Sequence, residues 1–100
     1  MRMTVTHHTT RDAARRIINQ RIAALEQQYG HHASEIQREW AGDLLNFSFK
    51  AKGFQGKGTL EITDSEVIVD GKLPLIAKPF ESRIRKTVED EAAQLFPRGA

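Results

Sequence analysis

Three groups of residues in this chain are of the types that do chemistry: two histidine pairs, several neighbouring carboxylates and a glycine-rich segment. His7-His8 and His31-His32 invite a metal reading, because imidazole is a common ligand. Adjacent side chains in extended backbone point to opposite faces, so each pair offers one ligand to a given ion. The spacings H-x-x-x-H and H-E-x-x-H do not occur and there is no cysteine. These histidines therefore read as solvent-exposed or capping residues, and no metal site is expected. The carboxylates are Glu61 with Asp64, Asp64 with Glu66, and Glu89-Asp90-Glu91. General acid–base work needs carboxyls that converge in a cleft with separated pKa values. These fall at turns, or on a helix that also carries Arg83, Arg85 and Lys86, where pairing along the helix is the ordinary role. The segment Lys52-Gly53-Phe54-Gln55-Gly56-Lys57-Gly58 looks superficially like a phosphate loop, but such a loop joins a strand to a helix. Here Gly58 leads into T-L-E-I-T, a strand pattern. No catalytic residue and no cofactor are expected, and the chain does not read as an enzyme.

Residues suited to surface contact are more informative. Phe54 lies between glycines that give it little cover; it either folds onto the sheet or stands out as a contact for a partner. Leu73-Pro74-Leu75-Ile76 is a compact apolar cluster before the last helix, either a packed junction or a sticky lip. Arg2, Arg11, Arg15, Arg16 and Arg21 face only Asp12 across residues 2–21, a locally basic stretch able to meet phosphate or an anionic lipid surface. Trp40, Phe47 and Phe49 would form a nucleic-acid stacking platform only on an open sheet face. Phe47 and Phe49 share their face with Leu45 and Ala51, which reads as core, so no nucleic acid is expected. The candidate contacts are Phe54, Leu73, Leu75, Ile76, Arg15 and Arg16.

The elements that position these residues follow from periodicity. Residues 3–8 are a short β-prone run, and Thr9 or Thr10 can cap a helix over Arg11 to Tyr29. Ala14, Ile18, Ile22, Leu25 and Tyr29 share one face of that helix, which Gly30 ends. From Glu35 the period becomes two. Ile36, Arg38 and Trp40 share a strand face, Ala41-Gly42-Asp43 is a tight connection, and Leu45, Phe47, Phe49 and Ala51 form the next apolar face. Gly53, Gly56 and Gly58 mark a second turn or bulge before Leu60 and Ile62, and Asp64-Ser65 turns the chain into Val67 and Val69. Short turns force antiparallel neighbours, so the strands form a meander. Ile76, Phe80, Ile84, Val88, Ala92 and Leu95 make a last amphipathic element that begins around Leu75 or Pro79, expected to be a regular helix from Pro79 to Leu95 with a looser turn before it. The fold class is α+β: an antiparallel meander of four to five strands with both helices on one face, in the order β-α-β-β-β-β-α.

One hundred residues make a single domain spanning 1–100, which leaves little apolar surface to spare for an internal ligand cavity. Charge is balanced, 15 basic against 13 acidic side chains, which is weak support for a polyanionic partner. No run approaches the ~20 apolar residues of a membrane span and the N-terminus has no signal-peptide pattern, so a cytoplasmic protein is expected.

One resemblance covers most of the chain. Tyr29-Gly30, then W-x-G-D-x-L-x-F (Trp40, Gly42, Asp43, Leu45, Phe47), Gly53 and Gly56, Leu60 and Ile62, L-P-L-I-x-K-P from Leu73 to Pro79, and Ile84 to Lys86 occur in this order. That series resembles the small polyhydroxyalkanoic acid system family. Gly58, and the connection from Gly30 to Ile36, depart from its pattern. The resemblance implies a non-enzymatic accessory protein, at the surface of polyester storage granules or bound to their proteins, and brings no catalytic residues. At the level of fold alone, the sheet and last helix are similar to a shortened helix-grip domain. Two alternatives stand beside this: a small binder of a hydrophobic acyl ligand between sheet and last helix, and a module that forms a homodimer through a sheet edge or the apolar lip.

Overall fold

The computed structural model describes residues 1–29, 34–51, 54–72 and 75–97. The chain runs through β1 (Arg2–Thr6), α1 (Arg11–Tyr29), β2 (Ser34–Ala41), β3 (Leu44–Ala51), β4 (Phe54–Ile62), β5 (Glu66–Lys72), a 3₁₀ segment (Leu75–Phe80) and α2 (Glu81–Leu95). All pairing is antiparallel, and the sheet order is β1-β5-β4-β3-β2. The meander of the four later strands and the α+β class are as the periodicity predicts, with β1 closing the far edge against β5.

The register explains why the core lies on one side. Met3, Val69, Leu60, Leu45 and Trp40 are successive cross-strand partners, so one apolar row crosses all five strands. Val5, Val67 and Ile62 form a second row beside it. Helix α1 buries Ala14 and Ile18 against Ile62, Val67 and Phe96, with Ile17, Ile22, Trp40 and Leu60 packed around them. Each isoleucine, valine, leucine or phenylalanine among them, once fully buried, contributes about 1.5–3 kcal/mol, the largest favourable term open to a chain this small. Thr10 starts α1 by accepting the Ala13 N–H at 3.1 Å, and Asp12 sits in the first turn where the helix dipole favours it.

Several boundaries differ from expectation, each for a local reason. The β2–β3 hairpin turns on Gly42 and Asp43 alone; Gly42 has φ 64°, the pattern of a II′ turn with glycine at its first central position. The register of β2 shifts between Ser34 and Gln37, and Glu35 has φ 53°. That irregularity breaks the expected alternation, and Ile36 is left 38% exposed rather than sharing the face of Trp40. Helix α2 begins at Glu81 instead of Pro79. Proline has no N–H to give and here lies inside the 3₁₀ segment.

Gly56 and Gly58 are not turn residues but sit inside β4, opposite Phe49 and Phe47. A Cβ on Gly56 would come within 2.7 Å of Phe49 Cζ; one on Gly58 would come within 2.9 Å of Phe47 Cζ and 2.6 Å of the Asp70 carbonyl oxygen. The two rings therefore lie across strand positions that have no side chain, filling the row that glycine leaves empty. Gly58→Ala meets the backbone of β5, which cannot give way, whereas Gly56→Ala meets a ring that can swing. Urea unfolding is expected to show Gly58→Ala destabilised by about 1–3 kcal/mol and Gly56→Ala by less.

Candidate functional site

The end of the sheet that carries the Gly42-Asp43 and β4–β5 turns is tied together by polar contacts. Arg11, at the start of α1, reaches Asp43 Oδ2 at 2.8 Å and Asp64 Oδ1 at 2.9 Å, joining two turns to one helix. Hydrogen bonding to Asp43, and then the charge of Asp64, raise its already high pKa. Thr63 Oγ1 accepts the Glu66 N–H at 2.9 Å, which shapes the turn before β5.

His7 is 1% exposed, so the expectation of an exposed or capping histidine is corrected. The Thr9 N–H donates to Nδ1 at 3.2 Å, so the proton of the neutral ring sits on Nε2, which donates to the Thr63 carbonyl at 2.8 Å. Both ring nitrogens are thereby committed to backbone, and the ring lies 6.2 Å from that of Phe96. The residue has the geometry of a structural strut. It follows the last residue of β1, where the strand pattern no longer reports which way a side chain points. His8 is exposed.

The basic stretch read along α1 does not form a patch in space. Arg11 is held by the two aspartates, Arg15 lies over the Trp40 ring at 4.8 Å, and Arg21 makes a bidentate pair with Glu91 of α2, both bonds 2.7 Å. Arg16 is exposed. Trp40 in turn donates from Nε1 to Asn19 Oδ1 at 3.3 Å, and Arg38 pairs with Glu26 at 3.3 Å, so α1 is fastened along edge strand β2.

Cations gather instead at the opposite end, where β1 begins, β5 ends and α2 starts. Arg85 donates to the carbonyl of Arg2, which places the first turns of α2 beside the first residue of β1. Arg2, Lys72, Lys78, Arg83 and Lys86 are all exposed in this region, against Asp70 and Glu81. Phe80, 56% exposed, lies at the entry to α2, two residues after Lys78 and three before Arg83. Sequence spacing could not reveal this grouping, since residue 2 meets β5 through strand pairing and α2 through the Arg85 contact.

Of the remaining contact candidates, Phe54 is paired through its backbone with Ala51, and its side chain lies outside the described residues. Leu73 also lies outside them; Leu75 and Ile76 are within the 3₁₀ segment, their side chains outside the described set. A broad open groove of about 850 Å³ is lined by Gln37, Glu39, Asn46, Ser48, Lys57 and Thr59. These residues alternate with the core-facing ones and so belong to the uncovered face, whose polar lining does not suit an acyl chain. No described helix is long and apolar enough to cross a membrane.

A family model described as "Putative polyhydroxyalkanoic acid system protein" matches residues 1–96. No curated protein and no solved structure matches the chain.

Two measurements check the polar framework. His7→Ala leaves the Thr63 carbonyl and the Thr9 N–H without partners and opens a cavity, and is expected to cost about 2–4 kcal/mol in chemical unfolding. Hydrogen bonding from Arg21 holds the Glu91 carboxyl below the usual carboxylate range. Because its folded pKa lies below the unfolded one, its contribution is present above about pH 4.5 and is lost as pH falls through the folded value. The pair is about one-third exposed, so Glu91→Gln is expected to cost up to about 1 kcal/mol at neutral pH and nothing in strong acid. Unfolding curves across pH read that convergence.

Proposed function

The chain belongs to the polyhydroxyalkanoic acid system family, and from that membership we propose that it is a non-enzymatic accessory protein of polyester storage that associates with granules or their proteins. The observation that carries this reading is the family match across residues 1–96. The chemistry of the described residues supports the non-enzymatic part. Several side chains that could serve as acid, base or electrostatic stabiliser are engaged in structural work: Arg11 with Asp43 and Asp64, Arg21 with Glu91, Arg38 with Glu26, Lys50 with Glu35, and His7 with backbone on both ring nitrogens. A catalytic group must instead be free to exchange a proton with a reacting atom in a cleft.

The experiment is a fluorescent fusion viewed in cells that are accumulating polyester, together with fractionation of the same cells. The expected result is signal on the rims of stained granules and recovery in the granule fraction. A diffuse signal with the protein wholly in the soluble fraction contradicts the proposal.

A further inference from the structure

We propose that the basic end of the molecule, with the exposed Phe80 at the entry to α2 and the first half of α2 as its working element, docks on an anionic lipid surface. This deepens the granule-association reading and rests on it for its biological setting only. Four observations carry it.

Helix α2 has no buried residue, although Ile84, Val88 and Leu95 form an apolar stripe along it. Its first half is tied to the sheet by the Arg85 bond to the Arg2 carbonyl, and its C-terminal end by the Glu91–Arg21 pair and by the following Phe96, which is buried beside His7. Phe80 at the N-cap provides no side-chain cap, so the first turn is held weakly.

Positive charge gathers in the first half of α2. Arg83, Arg85 and Lys86 lie there, with Glu81 in the first turn, whereas Glu89, Asp90 and Glu91 lie in the second half. The N-terminal half therefore carries a net positive charge that an external negative surface can meet.

Strand pairing brings further positive charge to the same end, on the uncovered face of the sheet. Lys57 and Lys72 stand directly opposite each other there across β4 and β5, a like-charge pair that costs stability in the isolated molecule. An anionic surface met end-on relieves that repulsion.

The exposed ring selects among anionic partners. Clustered cations beside a protruding aromatic and an amphipathic helix match a lipid interface, where the ring enters the headgroup boundary and lysines and arginines meet the phosphates. A neutral polyester surface would use Phe80 but gain nothing from the cations.

The test is co-sedimentation of the full chain with vesicles of phosphatidylcholine alone and of equal parts phosphatidylcholine and phosphatidylglycerol. Binding is expected on the anionic vesicles, weakening as salt rises toward about 0.15 M. Lys86→Glu and Arg83→Glu should each weaken it at least about fivefold, and Phe80→Ser should weaken it at every salt concentration. Arg16→Glu changes net charge equally but lies on α1, and should leave binding unchanged. No preference for anionic vesicles, or equal loss in Arg16→Glu and Lys86→Glu, overturns the proposal. So does capture by bare polyester particles without vesicle binding, which assigns the surface to polyester, or a dimer abolished by Phe80→Ser, which assigns it to a second copy. The assay contains no polyester in its vesicle arms, so its failure leaves granule association standing, and a soluble protein in cells leaves the vesicle result intact.

Discussion

One apolar row, Met3–Val69–Leu60–Leu45–Trp40, crosses all five strands, and the rest of the molecule is arranged around it. A slip of one residue in any strand would turn that strand's members of the row to the open face, exchanging them for residues such as Asp70, Thr59 and Asn46. The row therefore fixes register from edge to edge. It also fixes where the helices go. Five strands about 4.8 Å apart span about 19 Å, a width that two helices of about 10 Å can cover side by side. Both lie on the row's side, and the other face is left polar.

The remaining features of the core follow from that one-sided design. Beyond the row, β4 carries glycine where Phe47 and Phe49 lay their rings across it, so apolar cover is supplied by the neighbouring strand. At the other end, where strands give way to turns, backbone groups need partners that the sheet no longer provides. His7 supplies them to Thr63 and Thr9, and Arg11 joins the two turns through their aspartates. His7 and Arg11 are thus spent on closing the fold.

Much of this architecture is legible in the sequence, because period and punctuation are local. The span of α1, the shared face of Leu45, Phe47, Phe49, Leu60, Ile62, Val67 and Val69, and the meander follow from apolar spacing and short turns. What spacing cannot show is pairing between distant residues. Arg21 and Glu91 are 70 positions apart, and nothing local marks them as a pair. The burial of His7 depends on a carbonyl 56 residues away. Gly56 and Gly58 resemble turn glycines until their strand partners are known. The basic cluster read along α1 disperses into separate contacts, while the cluster that assembles draws on both ends of the chain.

These differences divide the molecule mechanically. The sheet and α1 share the buried core, whereas the first half of α2 has half-buried apolar residues and no side-chain cap. Segments with few buried contacts open at lower free energy than the core that supports them. Residue-resolved amide hydrogen exchange of the free protein tests this most directly. Amides of β3, β4 and the Ala14 to Ile22 stretch should approach the global limit, while those of Arg83 to Val88 should open at about 2 kcal/mol or more below it. Protection through Arg83 to Val88 equal to that of Leu45 would contradict the division on which the functional end depends.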